Sequence, residues 1–179
     1  MFLDPEDAVD AIALAWMSER PGTPVDSIGV VTRLWHAAKL FGDDRVRLLR
    51  GEGADAATLD LLSTLRRAGE PYRMTTRELA GAALITAGAV TQRVDRAAEQ
   101  GLVARVPTAP GSREVNVELT EAGHALVEHL VDAVLHREVA LLAALDADDR
   151  EQLAALLRKL LTGMQSVLED TSNPSHVGS

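Results

Sequence analysis

The sequence from residue 75 to residue 119 reads TTRELAGAALITAGAVTQRVDRAAEQGLVARVPTAPGSREVNVEL, and it decides the fold. Its first four residues, Thr75–Glu78, fit a capping box, in which a hydroxyl and a carboxylate satisfy each other's backbone amides. They predict the start of a short helix. Thr86 can cap a longer helix over residues 87–100, which Gly101 ends. Two helices joined by a tight turn make a helix-turn-helix.

Two predicted strands follow this pair of helices directly. The first covers residues 102–106 and the second covers residues 115–119, where apolar and polar residues alternate. The residues between them, 107–113, read as a turn. A helix-turn-helix followed by a β-hairpin is a winged helix.

The helix over residues 87–100 has an apolar face and a polar face. Small residues at its start, Gly88 and Ala89, leave room for a close approach to a DNA groove. Gln can pair with adenine and Arg with guanine, so the polar face suits the reading of base edges. An ordinary amphipathic helix would look similar, but the hairpin that follows favours DNA, because Arg113 places a cation at its tip. We predict that Val90, Val94, Ala97 and Ala98 pack inward, and that Gly88, Thr91, Gln92, Asp95 and Arg96 point outward.

Helices are predicted on both sides of this unit. Asp4 and Pro5 suit a helix start, and two prolines and a glycine in residues 20–24 end that helix. The others are predicted over about residues 26–49, 56–68 with Asp55 as cap, 120–144, and 147–168 with Asp146 as cap. We predict apolar inward stripes of Ile28, Val31, Leu34, Trp35, Ala38 and Phe41, of Leu59, Leu62 and Leu65, and of Leu153, Leu156, Leu157, Leu160 and Leu161.

Composition narrows the class of protein. The chain has 179 residues, 46% hydrophobic and 25% charged, which excludes disorder for most of it. The absence of cysteine excludes disulfide scaffolds, thiolate nucleophiles and cysteine zinc sites. Aromatic residues make up 3%, which argues for a mainly α fold. No apolar run is long enough to span a bilayer and no basic patch opens the chain, so we expect a cytoplasmic protein with no membrane partner.

Charge and motifs address the function. The net charge of −9 argues against a protein that coats nucleic acid nonspecifically. Residues 75–119 are the least acidic part, with five arginines and five acidic residues. The sequence has no Gly-rich phosphate loop, nucleophile elbow or clustered pair of titrating groups, so we expect neither an enzyme nor a cofactor. His129 and His136 share one helix face, which favours an exposed or interface pair over a metal site.

Five stretches of the sequence together form a recognisable pattern: Leu61–Gly69, Leu79-Ala80, Thr91–Arg96, Gly101–Arg105 and Leu119–Gly123. This pattern resembles the MarR family of bacterial transcription regulators. The resemblance covers about residues 28–165 and is most specific in the winged helix. It implies an obligate homodimer whose first and last helices intertwine, each protomer presenting one winged helix to a pseudo-palindromic operator with half-sites roughly 34–36 Å apart.

The resemblance also implies which residues contact double-stranded DNA. The wing over residues 108–114 lacks the aspartate and one of the two arginines that the family's wing tip usually carries, which implies weaker wing binding and a shallower dependence on salt. Most members of the family repress transcription. The DNA-binding residues we predict are Thr86, Gly88, Ala89, Thr91, Gln92, Arg93, Arg96, Ser112 and Arg113.

A predicted helix ahead of the family's usual first helix is similar to the urate-responsive subgroup. That resemblance implies a ligand site formed by Trp16, Asp60, Arg93 and Arg105. An indole face and guanidinium forks suit a planar anion such as urate. A related subgroup with the same four positions responds to tricarboxylates, which the arginines would serve equally well.

Alternatives to this ligand site are open at this stage. Each of the four residues has a structural reading: Trp16 as a packing residue, Asp60 as an ion-pair partner of Arg93 or Arg105, and Arg93 as a phosphate contact. The regulator could instead respond to phenolic or lipophilic compounds, or to no small molecule. An enzyme or a protein-interaction module using the same helices is the remaining class.

The sequence therefore predicts a mainly α protein with a small β-hairpin wing, a winged helix-turn-helix with long dimerisation helices at both ends. Its expected partners are operator DNA, a second copy of the chain and a small anionic effector. The expected segments are 1–50 for the extra helix and the first dimerisation helix, 55–119 for the winged helix, 120–170 for the C-terminal dimerisation helices, and 171–179 for a disordered tail.

Overall fold

The computed structural model describes residues 7–83, 86–109 and 115–172. Helices dominate it. Three strands, β1 Arg73–Thr75, β2 Val103–Pro107 and β3 Val115–Leu119, form an antiparallel sheet in the order β1-β3-β2. The predicted fold class, mainly α with a small hairpin wing, is confirmed. The elements are α1 Ala8–Glu19, α2 Ile28–Gly51, α3 Ala56–Arg67, β1 Arg73–Thr75, α4 Thr76–Ala83, α5 Ala87–Glu99, β2 Val103–Pro107, β3 Val115–Leu119, α6 Glu121–Leu141 and α7 Ala147–Ser172.

The chain divides into two compact units, residues 1–134 and residues 135–179. The first unit contains α1 to α5, the sheet and most of α6, and the second contains the end of α6 and α7. Residues 173–179, most of the expected tail, lie outside the described residues.

The core of the first unit lies under α5. Side chains of α3, α4, α5, the sheet and α6 meet there, and helix α5 contributes three apolar residues on one face, as its spacing predicts. Leu62 and Leu65 of the predicted α3 stripe are fully buried in the same cluster, while Leu59 packs in a second cluster with Leu49 and Leu130. The cluster consists of Leu61, Leu62, Leu65, Leu79, Val90, Val94, Ala97, Val103, Val117, Leu119 and Val127.

The hairpin strands pair as predicted, with Arg105 opposite Val117 and Val103 opposite Leu119. Strand β1 was not predicted; it adds to the far side of β3, with Met74 opposite Val117. The junction between the hairpin and α6 is tight at Gly123, where an added Cβ would lie 2.0 Å from the carbonyl oxygen of Leu102. Only glycine fits this approach.

Three expectations about the flanking helices are wrong: the start of α1 and the inward stripes of α2 and α7. Helix α1 begins at Ala8, because the carboxylate of Asp7 caps it by accepting hydrogen bonds from the amides of Val9 and Asp10. Asp4 and Pro5, the predicted start, lie outside the described residues. The predicted inward stripe of α2 is also largely exposed: Trp35 is 72% exposed, and no part of the described chain covers it. Others of the predicted stripes that are exposed are Val31, Ala38, Phe41, Leu153, Leu156, Leu160 and Leu161.

Candidate nucleic-acid interface

Helix α5 is divided into a packed face and an exposed face. Val90, Val94 and Ala97 are fully buried, as predicted, while Gln92 and Arg96 are exposed. The hydroxyl of Thr86 accepts a hydrogen bond from the amide of Ala89 at 3.3 Å, so the predicted cap is present. The helix therefore holds a polar face outward on a rigidly packed support.

The short helix α4 begins with the predicted capping box. The amide of Thr75 donates to the Glu78 carboxylate at 2.7 Å, and the amide of Glu78 donates to the Thr75 hydroxyl at 3.2 Å. The backbone hydrogen bond from Thr75, together with that from its hydroxyl, lowers the pKa of Glu78 below its ordinary value. The box fixes where α4 starts. Leu84 and Ile85, which lead from α4 towards Thr86, lie outside the described residues.

Arg96, on the exposed face of α5, is held by Asp55. One Asp55 oxygen lies 2.7 Å from an Arg96 guanidinium nitrogen, and the other accepts a hydrogen bond from the amide of Thr58 at 2.8 Å. The Thr58 amide is the largest cause that lowers the pKa of Asp55, and Arg96 adds to it. Asp55 therefore caps α3, as predicted, and in addition ties α3 to α5.

Arg93 and Asp60 are brought together, and Arg45 joins them. The Asp60 carboxylate lies 3.7 Å from the guanidinium groups of both Arg93 and Arg45. Of the two partners foreseen for Asp60, the structure places Arg93 beside it. The cluster joins α2, α3 and α5 through ion pairs that are longer than direct hydrogen bonds.

Arg105 has a different partner. Its guanidinium on β2 pairs with the carboxylate of Asp95 on α5, so the foreseen pairing with Asp60 is not present. Asp95, which we predict to point outward, lies at the surface, where its carboxylate accepts a hydrogen bond from the guanidinium of Arg105. This pair fixes α5 against β2, the first strand of the hairpin.

The remaining residue of the predicted ligand site is Trp16. Trp16 lies on α1 and is 49% exposed, and the ion pairs described above do not include it. Helix α1 is fixed to α2 by Arg33, which pairs with Asp7 and Asp10 at 2.8 Å each. Two of the predicted DNA-binding residues, Ser112 and Arg113, lie outside the described residues.

A cavity of about 330 Å³ opens on the polar side of α5, towards the start of α3. Its walls include Asp55, Thr58, Gln92, Arg93 and Arg96. Both charge signs and an amide side chain therefore meet at one surface depression on the face that the sequence predicts for DNA.

The described residues contain no cluster of three or more His, Asp or Glu side chains that could hold a metal ion. His129 lies 2.7 Å from Glu52, so its partner in the described chain is a carboxylate at the end of α2. None of the helices in the described ranges is both long enough and apolar enough to cross a membrane.

The sequence did not predict two contacts of this region: the ion pair of Arg45 with Asp60, and that of Asp55 with Arg96. A cap can be predicted from its position next to a helix. A partner on another helix cannot, because no local pattern relates Asp55 to Arg96 or Arg45 to Asp60.

A helix-turn-helix with a packed second helix and an antiparallel hairpin after it defines a winged-helix DNA-binding protein. Residues 53–114 match the model of the MarR family. A mutant of E. coli MarR has the same fold with 30% identity and a TM-score of 0.58, and the match covers 73% of this chain and 96% of that one. The chain belongs to the MarR family of transcription regulators, which are not enzymes.

Three further comparisons are informative. The HTH-type transcriptional regulator PecS of Dickeya dadantii (strain 3937) is 29% identical over 85% of this chain and 92% of its own. The E. coli MarR mutant complexed with operator DNA is 28% identical, with a TM-score of 0.60 and coverage of 76% and 98%. BpsR of Bordetella bronchiseptica, whose DNA binding is regulated by 6-hydroxynicotinic acid, shares the fold at 23% identity, a TM-score of 0.57 and coverage of 72% and 98%.

Proposed function

We propose that this chain is a homodimeric repressor that binds a pseudo-palindromic operator and is released by a small anionic metabolite. The observation that carries the proposal is the exposed polar face of α5, which presents Thr91, Gln92 and Arg96 from a helix whose other face is fully packed. A rigid support of this kind lets side chains reach base edges without loss of register.

The DNA interface combines base reading with backbone contacts. Gln92 suits adenine and Arg96 suits guanine, while the capped start of α5 faces phosphate. The wing contributes Ser112 and Arg113, with Arg113 in the minor groove. The full set proposed is Thr86, Gly88, Ala89, Thr91, Gln92, Arg93, Arg96, Ser112 and Arg113.

A second copy of the chain is the partner we propose for the exposed apolar stripes. Trp35 on α2 and the leucines of α7 leave large apolar faces uncovered within the described chain, as dimer interfaces do in a lone protomer. Two winged helices related by a dyad would then meet half-sites about one helical turn apart, roughly 34–36 Å.

The effector site proposed comprises Trp16, Asp60, Arg93 and Arg105. The ion pairs of Asp60 are 3.7 Å long and half-exposed, so an anion can displace the carboxylate at small cost. Arg45 is a further guanidinium at this point. Trp16 offers a half-exposed indole for a planar ligand.

The charge and shape of the site favour urate, another purine or a tricarboxylate. BpsR supports the idea that a protein of this fold can be regulated by a planar organic acid. Because Arg93 lies on α5, a ligand that replaces Asp60 would favour a position of α5 with the wrong half-site spacing, which is a population shift by differential affinity.

A gel shift tests the proposal. The probe is the intergenic DNA upstream of the chain's own gene, titrated with urate, xanthine, citrate and trans-aconitate. We expect a saturable shift that one of these anions reverses, and weaker binding by Arg96→Ala and Arg113→Ala with the dimer intact. Full binding by both variants would remove them from the interface. Release by a phenol alone would favour the phenolic or lipophilic class of effector.

A further inference from the structure

Asp55 makes two contacts that belong to different helices. One carboxylate oxygen accepts the amide hydrogen of Thr58 at 2.8 Å and so caps α3. The other lies 2.7 Å from a guanidinium nitrogen of Arg96 on α5. Because the first contact fixes the carboxylate against α3, the second holds Arg96 at a defined place.

The pair stands at the surface where the proposed function places DNA. The Arg96 side chain is 61% exposed and that of Asp55 39%. Both border the 330 Å³ cavity on the polar side of α5, beside Gln92. An arginine at the candidate interface thus carries a fixed negative charge next to it.

We propose that Asp55 determines DNA specificity by restraining Arg96, weakening its contact with backbone phosphate more than its contact with a base. The inference rests on the proposed function, since it requires α5 to face DNA. It assigns Asp55 the role of a positioning residue, distinct from any residue that touches DNA.

The physical reason is the difference in charge between the two kinds of DNA acceptor that the guanidinium can meet. A phosphate oxygen that competes for the same N–H must displace the carboxylate or approach it, and two negative charges then lie close together. A guanine offers the neutral acceptors N7 and O6. Since a guanidinium has five N–H donors, Arg96 can donate to a base while it stays on Asp55.

Unrelated DNA offers mainly phosphates, whereas an operator adds matched bases. Asp55 therefore penalises binding to unrelated DNA more than binding to the operator. The ion pairs of Arg93 and Arg105 differ from that of Arg96 in their position. The Arg93 side chain is less exposed than that of Arg96, and Arg105 lies on β2 rather than on α5.

The test is Asp55→Asn. Asparagine caps a helix as well as aspartate does, so the variant removes the charge and keeps the cap. Dissociation constants are measured by fluorescence anisotropy for a duplex selected by the wild-type protein from a randomised library, and for an unselected duplex of the same length, between ~50 and ~200 mM salt.

We expect Asp55→Asn to bind the unselected duplex about two- to fivefold more tightly, with a salt slope steeper by about one phosphate contact, and the selected duplex with little change. The ratio of the two affinities falls by the same factor. An unchanged ratio overturns the proposal. Asp55→Ala removes the cap as well as the charge, whereas Asp55→Asn removes only the charge. A melting temperature that falls further in Asp55→Ala than in Asp55→Asn verifies that the latter keeps the cap.

The same substitution in an Arg96→Ala background separates restraint from general charge. If Asp55 acts through Arg96, Asp55→Asn no longer changes the ratio there. An equal tightening in both backgrounds means that Asp55 acts only by repelling DNA, and the proposal fails. Failure of the wild-type protein to select any sequence would instead contradict the proposed function itself.

Discussion

The carboxylate of Asp60 lies 3.7 Å from the guanidinium of Arg93, and this ion pair joins α3 to α5. Arg93 is the less exposed partner, and Asp60 has a second arginine, Arg45, at the same distance. The carboxylate of Asp60 on α3 is therefore paired directly with α5, the helix that we propose enters the DNA groove. An anion that takes its place acts on α5 without an intermediate element.

Asp60→Asn is expected to lower the effector concentration needed for release. The variant removes the carboxylate that competes with the anion for Arg93, and a half-exposed ion pair accounts for about a two- to fivefold change. Anisotropy of a labelled operator duplex, titrated with urate and with citrate, measures it. Asp43→Asn is the matched control, because Asp43 pairs with Lys39 elsewhere on the surface. Equal shifts in the two variants would contradict a local role for Asp60.

Trp16→Ala is expected to leave operator affinity within about twofold and to raise the effective concentration of a planar effector about tenfold, because the stacking face is lost. Trp16→Phe should recover part of the response. Met17→Ala removes a neighbouring α1 side chain of similar exposure, 45% against 49%, and should respond as wild type. Isothermal titration with urate gives the affinities directly, and an unaltered value for Trp16→Ala would remove α1 from the site.

Local signals carried the prediction of the fold. The caps at Thr75, Thr86 and Asp55 set helix starts correctly, since a cap is read from residues within one turn. Strand β1 has only three residues, and it forms because β3 lies beside it with Met74 opposite Val117. So short a run carries no alternation that a sequence could reveal.

The site was predictable in its residue types and not in its pairings. Arg93 and Asp60 meet as one of the foreseen alternatives, while Arg105 is drawn to Asp95 instead. These choices depend on how α3, α5 and β2 pack. The apolar periodicity of α2 likewise predicts a face to be covered without saying what covers it, so Trp35 is exposed in the single chain.

Leu161→Glu is expected to convert a dimer into a monomer of 19.1 kDa, because it puts a charge on the exposed apolar stripe of α7. Ser166→Glu adds the same charge to an exposed position about 140° around the helix and should remain dimeric. Sedimentation equilibrium measures both masses. A monomeric wild-type protein, or a dimeric Leu161→Glu variant, would show that this stripe does not hold two copies together.

Glu78→Gln tests the capping box through its pH dependence. The hydrogen bonds from Thr75 lower the pKa of Glu78 in the folded protein, so its contribution to stability is present above the ordinary carboxyl pKa and is lost as the pH falls through the lowered value. Glutamine keeps the geometry of the box and lacks the charge. We therefore expect the variant to melt below wild type near neutral pH, with the difference closing as the solution is made acidic. Melting temperatures at constant protein concentration give the comparison, with Glu99→Gln at the other end of the helix pair as the charge control. A difference that stays constant down to about pH 3 would mean that the carboxylate of Glu78 adds nothing as an ion.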